Sequence, residues 1–182
     1  MDVRVIGGRS RGRRLPGRLP PGLRPTGDRV REAIFDMLGS MGGLDGLGVA
    51  DLFCGSGAMG LEALSRGAAS ATFVDSDLSA LEAVRTNIAA VGLEEADSTL
   101  VRADLPGWLA RFGPFDVAFC DPPYAFSDWS GLLGLLRADV AVLESAGEIA
   151  VPKGWEPTRS RRYGGTLVTV VRQTSSPTLI GS

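Results

Sequence analysis

The stretch DLFCGSGAMG (51–60) decides the fold of this chain of 182 residues. An apolar run ends inside it, and Gly55, Gly57 and Gly60 then follow with the spacing G-x-G-x-x-G. Glycines at this spacing let a strand turn tightly into a helix and let the backbone come close to a bound ligand. The pattern is typical of the first strand, loop and helix of a doubly wound α/β sheet.

Outward from this stretch, short apolar runs alternate with helical segments. The predicted strands are 49–54, 71–75, 99–104, 115–121, 148–151 and 166–171. The predicted helices are 28–40, capped by Asp28 or Thr26, and then 59–66, 77–91, 105–111 and 127–143. Several strands are apolar on both faces, as in a parallel sheet that helices cover on each side. We therefore predict an α/β fold with a Rossmann-like, mainly parallel sheet and an antiparallel last strand.

The positive charge is concentrated at the amino terminus. Residues 1–31 carry nine arginines and two aspartates, a net charge of +7, so the rest of the chain carries −9 within the total of −2. Runs at 3–6 and 12–15 flank GGRSR, which predicts a short β-hairpin. A basic arm on an acidic body indicates a phosphate-rich partner, and a solvated tail is the alternative.

Three regions follow from this composition. We predict an Arg-rich hairpin arm with its linker over 1–27, a catalytic domain over 28–173 and a flexible tail over 174–182. Cys54 and Cys120 are the only cysteines, both in apolar runs, which argues against a disulfide framework. No apolar run reaches the roughly 18 residues that span a bilayer. We expect a soluble, cytoplasmic monomer without a metal site.

Acidic residues stand at the predicted ends of three further strands: Asp75, Asp104 and Asp121. The glycine spacing with Asp75 about 20 residues on also fits a dinucleotide site. Asp51, however, lies just below the loop, where its carboxylate would repel a pyrophosphate and attract an ammonium group. The chain also has no histidine, the usual proton relay of a hydride-transferring enzyme. S-adenosylmethionine, with its ammonium and sulfonium charges, fits these residues better.

Each part of that cofactor has a predicted partner. Its carboxylate would accept from backbone N–H groups near Ser56 and Gly57, at a helix N-terminus. Asp75 would accept from the ribose hydroxyls, and Asp104 with Leu105 would bracket the adenine. The predicted cofactor-binding residues are Asp51, Gly55, Ser56, Gly57, Asp75, Ser76, Asp104 and Leu105.

The sequence DPPY (121–124) follows a predicted strand and supplies the candidate catalytic residues Asp121, Pro122 and Tyr124. Because a residue before proline avoids the helical region, Asp121 is held extended. Its carboxylate and the Pro122 carbonyl can then accept both N–H bonds of an exocyclic amino group, which directs the nitrogen lone pair toward a methyl donor. Tyr124 offers a flat face for a base turned out of its helix.

At these residues the chain resembles a known family. DPPY together with DLFCGSGAMGLEAL is similar to S-adenosylmethionine-dependent amino-group methyltransferases of class I fold. More narrowly, VRVIGGRSRGRRL, LRPTGDRVREAIFDML, GLEALSRGA and RRYGGTLVTVVR resemble the RsmD family, which methylates guanine N2 in 16S ribosomal RNA. The resemblance covers about residues 3 to 172. It implies 16S ribosomal RNA or the small-subunit particle as partner.

The resemblance also implies that Thr26, Asp28 and Arg29 lie near the methionine end of the cofactor or the target base. With the basic arm, the predicted substrate-binding residues are Arg9, Arg11, Arg13, Arg14, Thr26, Asp28, Arg29 and Pro123. Two alternatives stay open from the residues themselves. One is another amino-group methyltransferase, acting on DNA adenine or cytosine or on a protein glutamine amide. The other is a non-catalytic nucleic-acid-binding protein that retains the fold.

Overall fold

The computed structural model describes residues 3–17 and 27–174. Its helices are α1 (Asp28–Gly39), α2 (Ala58–Ser65), α3 (Leu78–Val91) and α4 (Trp129–Leu135). Its strands are β1 (Gly48–Leu52), β2 (Ser70–Asp75), β3 (Ser98–Arg102), β4 (Phe115–Cys120), β5 (Ala138–Ser145), β6 (Trp155–Tyr163) and β7 (Thr166–Gln173). Two short 3₁₀ helices, Glu95–Asp97 and Gly107–Ala110, complete the list.

The strands form one seven-stranded sheet in the order β3-β2-β1-β4-β5-β7-β6. The first five strands are parallel, and β7 runs antiparallel to both of its neighbours. The prediction of a mainly parallel, Rossmann-like sheet with an antiparallel end is confirmed. The strand order reverses at β1, which has β2 on one side and β4 on the other. The carboxyl ends of these strands, here called the carboxyl edge, therefore frame the crevice where such sheets bind ligands.

Two predictions for the last third of the chain are wrong. The predicted helix over 127–143 ends at Leu135, and Ala138–Ser145 forms the central strand β5. Six of the eight β5 residues are buried between two neighbouring strands. A short run that is apolar on all sides suits a buried strand as well as a buried helix, so its periodicity does not distinguish the two.

The predicted strand over 148–151 does not form, and residues expected to be a loop form β6 instead. Seven of the nine β6 residues are exposed, and this strand lies at the edge of the sheet. A strand exposed on both faces shows no apolar alternation. The predicted helix over 105–111 is only the 3₁₀ helix Gly107–Ala110.

The sheet carries one layer of buried side chains on each face. One layer joins α1, α2 and α3 to the sheet, and the other joins α4 and the 3₁₀ helix Gly107–Ala110 to it. Every residue of α2 is buried, including Glu62 and Ser65. A helix needs cover all round to be buried in this way. Residues 3–17, here called the arm segment, supply part of that cover.

The arm segment folds back on itself and packs on the body. Val5 donates to the Arg13 carbonyl at 2.9 Å and Leu15 to the Val3 carbonyl at 2.8 Å, and both side chains are buried in the helical layer. A single antiparallel bridge joins Arg4 to Arg14, so the predicted hairpin is not shown as a pair of strands.

The start of α1 also differs from its prediction. Gly27 is the N-cap and makes no side-chain capping bond, whereas Asp28 is the first helical residue, so Asp28 is not the cap. The other predicted cap, Thr26, lies outside the described residues, as does the tail from residue 175. Within the described ranges, the helices are all too short or too polar to cross a bilayer.

Candidate active site

The loop between β1 and α2, residues 53–57 and here called the glycine loop, turns the chain sharply at the carboxyl edge. Three of its residues have positive φ: Phe53 at 58°, Gly55 at 51° and Gly57 at 73°. The Gly57 N–H donates to the Cys54 carbonyl at 2.7 Å and closes the turn. A Cβ on Gly57 would lie 2.9 Å from Val84 Cγ2, so both the turn and the packing require glycine there.

Asp75 ties the end of β2 to this loop. Its Oδ2 accepts from the Gly55 N–H and its Oδ1 from the Asp77 N–H, each at 3.0 Å. A carboxylate has about four acceptor positions, so two donors leave it able to accept from a ligand. Asp75 therefore fixes the glycine loop and still faces the crevice as an acceptor.

A cleft of about 250 Å³ opens at the carboxyl edge between β2, β3 and β4. Its lining consists of Phe53, Asp75, Ser76, Ala103, Asp104, Leu105, Pro123 and Phe126. Five of these eight residues were predicted as site residues, and the structure brings them together. Two carboxylates combined with aromatic and apolar side chains suit a ribose and a flat heterocycle.

Phe53, Ala103 and Phe126 were missed. The Phe53 and Phe126 rings pack at 5.4 Å between centroids, and Trp129 meets Phe126 edge-on at 5.3 Å. This aromatic cluster joins the glycine loop to the loop after β4. The sequence places Phe53 in the glycine stretch and Phe126 two residues after DPPY, but it does not show that the two rings meet.

Asp51 lies behind the glycine loop rather than on the cleft wall. It is 4% exposed, and its Oδ2 accepts from the Gly60 N–H at 2.9 Å in the first turn of α2. Burial, opposed by that hydrogen bond and assisted by the negative charges of Asp121 and Asp75, raises the pKa of Asp51 to about 8. Asp51 therefore carries a proton at neutral pH unless a positive charge comes near.

Asp121 directly follows β4 and is exposed at the carboxyl edge. Pro122 is buried, Pro123 is exposed, and the Phe126 N–H donates to the Pro123 carbonyl at 2.8 Å. Tyr124 is 77% exposed, so its ring is open to a partner. The end of β4, the buried Pro122 and this turn hold the loop beside the cleft, where Pro123 and Phe126 line the wall. That the Asp121 carboxylate and the Pro122 carbonyl hold an amino group remains a prediction.

Within the glycine loop, the last two residues, Ser56 and Gly57, are buried. The Ser56 carbonyl accepts from Asn87 Nδ2 at 2.9 Å. This bond from α3 fixes the start of α2, where free backbone N–H groups and the helix dipole favour an anionic group. The fit of the cofactor carboxylate to Ser56 and Gly57 remains a prediction.

The predicted substrate-binding residues fall in several places. Pro123 lines the cleft. Asp28 Oδ1 accepts from the buried Arg31 Nη2 at 2.9 Å, and Arg29 is exposed on α1. Arg11 and Arg14 are exposed on the arm segment, where Arg14 forms the bridge with Arg4.

Arg9 and Arg13 lie away from the cleft. The Arg9 guanidinium is 3.8 Å from the Asp97 carboxylate, just before β3 begins, and Arg13 lies against Gly92, just after α3 ends. Both places are at the amino ends of the parallel strands. These two arginines therefore flank the edge opposite the cleft.

The comparisons with known proteins agree with this geometry. A family model described as "Conserved hypothetical protein 95" matches residues 3–172. Ribosomal RNA small subunit methyltransferase D of Escherichia coli K12 is 40% identical over 150 residues, covering 82% of this chain and 70% of that protein. YlbH of Bacillus subtilis is 34% identical over 186 residues, covering 94% of this chain and 99% of that protein.

A solved structure shows the same likeness in three dimensions. The Escherichia coli protein yhhF superposes with a TM-score of 0.83 at 34% identity, covering 97% of this chain and 100% of that one. The likeness thus includes the arm segment as well as the sheet. With the family model and these relatives, the chain belongs to the RsmD family of ribosomal RNA small subunit methyltransferases.

Proposed function

We propose that this chain transfers a methyl group from S-adenosylmethionine to the exocyclic N2 amino group of a guanine in 16S ribosomal RNA. One observation carries the proposal: the exposed Asp121 carboxylate follows β4 beside a cleft that presents Asp75 and Asp104. Family membership and the named relatives support ribosomal RNA as the substrate.

The cleft residues fit the cofactor by their chemistry. Asp75, already fixed by two backbone donors, would accept from the ribose hydroxyls, and Asp104 with Leu105 would hold the adenine. Phe53 and Phe126 would exclude water from the apolar side. When bound, the cofactor supplies a methyl group on a positively charged sulfur, which is a good leaving group.

The chain's own contribution to the reaction is positioning and two acceptors. The guanine N2 lone pair is delocalised into the ring, which makes the amino group a poor nucleophile. Asp121 and the Pro122 carbonyl would accept its two N–H bonds and orient the lone pair toward the cleft. Tyr124, which is 77% exposed, would stack on the extruded base.

We extend the proposal to the organisation of the chain. Residues 1–27 form a basic extension on a methyltransferase domain of 28–173, and the protein acts as a monomer. Val5 and Leu15 of the arm segment are buried in the same layer as α1 and α2, which supports an extension that folds with the body.

Tritium transfer to small ribosomal subunits tests the proposal. The subunits come from a strain lacking this protein, and the labelled RNA is digested to nucleosides. We expect tritium in N2-methylguanosine with the wild-type protein and none above background with Asp121→Ala. Label in a different nucleoside, or no label although the cofactor binds in calorimetry, would contradict the proposal.

A further inference from the structure

Strand β6 (Trp155–Tyr163) is an exposed, basic edge of the sheet. Trp155 is its one buried residue, Tyr163 is partly buried, and the rest are exposed, among them Arg159, Arg161 and Arg162. In the part of the chain that the structure describes, none of these three guanidinium groups pairs with a carboxylate. Their charges therefore face solvent.

The three arginines cover both sides of the edge. Arg159 pairs in register with Val170 and Arg161 with Val168, so these two project to the face that α1 covers. Arg162 projects to the other face, where its Nη1 donates to the Ala146 carbonyl at 3.2 Å. The Arg161 guanidinium lies 5.5 Å from the centre of the Tyr163 ring. Such contacts hold the long side chains without neutralising them.

The register places this row level with the DPPY loop. Cys120 pairs with Leu143, Leu143 with Thr169, and Thr169 with Ser160. Three strand spacings of about 4.8 Å put Ser160 about 14 Å from Cys120 across the sheet. Because β6 runs parallel to β4, the next residues along each strand, Arg161 and Asp121, stand at the same height at the carboxyl edge.

Protection of a bare sheet edge is the competing explanation for these charges, since edge strands often carry cations that block pairing with another chain. This edge is already interrupted. Pro157 cannot donate to a further strand, and the register shifts between Pro157 and Arg159 as in a β-bulge. Three arginines within four residues, at the same height in the sheet as the proposed catalytic loop, exceed what edge protection requires.

We propose that Arg159, Arg161 and Arg162 form a phosphate-binding row for the RNA strand that flanks the target nucleotide. The inference rests on the proposed function, because it assigns the RNA a path from the DPPY loop along β6. Guanidinium groups suit this role, since they stay charged and bind phosphate oxygens in pairs.

Filter binding of a 16S ribosomal RNA transcript at several salt concentrations tests the row. The variant is R159Q/R161Q/R162Q, and the control R85Q/R111Q/R137Q removes the same charge from other exposed arginines. The binding constant K falls as salt rises, and each lost phosphate contact reduces the magnitude of the slope of log K against log salt by about 0.7 to 0.9. We expect the slope to fall by about two to three for the β6 variant and by less than one for the control. Affinity for S-adenosylmethionine should be unchanged in both.

Equal slopes for the two triple variants would overturn the inference. So would a β6 variant that self-associates in sedimentation while its monomer keeps the wild-type slope, because the arginines would then protect the edge only. If the triple variant does not fold, the three single substitutions replace it, each expected to lower the slope by about one. If the β6 variant shows the smaller salt slope but the wild-type protein transfers no methyl group, the result would contradict the proposed function and leave the phosphate-binding row supported.

Discussion

At the residue scale, the proposed reaction is expected to depend most on Asp121. Asp121→Ala removes one of the two proposed acceptors, and we expect the methyl transfer rate to fall by at least about 100-fold. Asp121→Asn keeps one carbonyl acceptor, so its rate should lie between wild type and Asp121→Ala. Single-turnover transfer to small subunits measures both variants, with the exposed Glu148→Ala as control. Near wild-type turnover by Asp121→Ala would remove Asp121 from the catalytic role.

We expect Asp51 to make the affinity for the cofactor depend on pH. Burial is the main cause of its pKa of about 8, so in the free protein the group is largely protonated at pH 6 to 7 and about half protonated at pH 8. A bound cation favours the carboxylate form, so binding releases a proton and the affinity for S-adenosylmethionine should rise several-fold over this range.

The control is Asp51→Asn, which removes the titrating group. The cofactor's own amino group titrates equally with both proteins, so only the difference between their pH profiles belongs to Asp51. Calorimetry in buffers of different ionisation enthalpy counts the released proton directly. Identical pH profiles for wild type and Asp51→Asn would show that Asp51 stays in one protonation state.

The residues of the site were predicted where a motif exposes them. Asp75, Ser76, Asp104, Leu105 and Pro123 follow strand ends or DPPY, and all five line the cleft. Phe53 was missed because its role depends on a backbone with φ of 58°, and Phe126 because its ring reaches Phe53 only in the folded loop. Contacts of this kind exist only in three dimensions.

At the element scale, Glu62 joins the arm segment to α2. Its two oxygens accept from the Ile6 and Gly7 N–H groups at 2.7 Å each, and it pairs with Arg66 at 2.7 Å and with the buried Arg31 at 3.8 Å. Glu62 is wholly buried, so this carboxylate compensates a charge that water cannot reach.

Glu62→Gln should therefore lower the free energy of unfolding by about 1 to 3 kcal/mol, because it removes a buried negative charge that Arg31 and Arg66 both face and leaves Asp28 as the counter-charge of Arg31. Urea denaturation measures the loss, and limited proteolysis should show earlier cleavage in the arm segment. The control is Glu82→Gln, an exposed position on α3. If both variants have the same stability, the buried pair is not holding the arm.

Helix α2 also packs unusually close to the sheet. A Cβ on Gly60 would collide with the Phe73 ring, whereas a Cβ on Gly134 of α4 would meet open space. Gly60→Ala should destabilise the fold by about 1 to 3 kcal/mol, and Gly134→Ala should stabilise it by about 0.4 to 1 kcal/mol. Thermal unfolding of the two variants compares them. If Gly60→Ala instead stabilises the fold, the Phe73 ring must move aside to make room for the added methyl group.

Most elements of the sheet and its helices were predicted well. The elements recognised to within a few residues are α1, α2, α3, β1, β2, β3, β4 and β7. Strand β5 was taken as part of a helix because its burial on both faces hides its period. Strand β6 was taken as a loop because its exposure on both faces hides its period as well. Both cases depend on where a strand lies in the sheet, which its own sequence does not state.

At the scale of the whole molecule, basic residues lie at two opposite edges of the sheet. Arg9 and Arg13 flank the amino ends of the strands, whereas Arg161 and Arg162 reach the carboxyl edge. Strands of five or six residues separate the two edges by roughly 17 to 20 Å. A short RNA strand can contact one of these surfaces, and only a large folded RNA can contact both.

Substrate size should therefore separate the two surfaces. R9Q/R13Q should leave methyl transfer to a short RNA fragment carrying the target unchanged and slow the transfer to intact small subunits several-fold. R159Q/R161Q/R162Q should slow both reactions. Parallel time courses with the two substrates measure this. Equal slowing of the short fragment by R9Q/R13Q would place the arm at the active site instead.

The contact between Gly60 and Phe73 has a consequence for how this protein can change over generations. Gly60 has no Cβ, and the Phe73 ring occupies the space where that atom would lie. A substitution at either position alone should therefore lower the stability of the fold. A smaller side chain at 73 would make room for alanine at 60. Substitutions at the two positions should therefore arise as a compensating pair, with the smaller side chain at position 73 appearing before alanine at position 60.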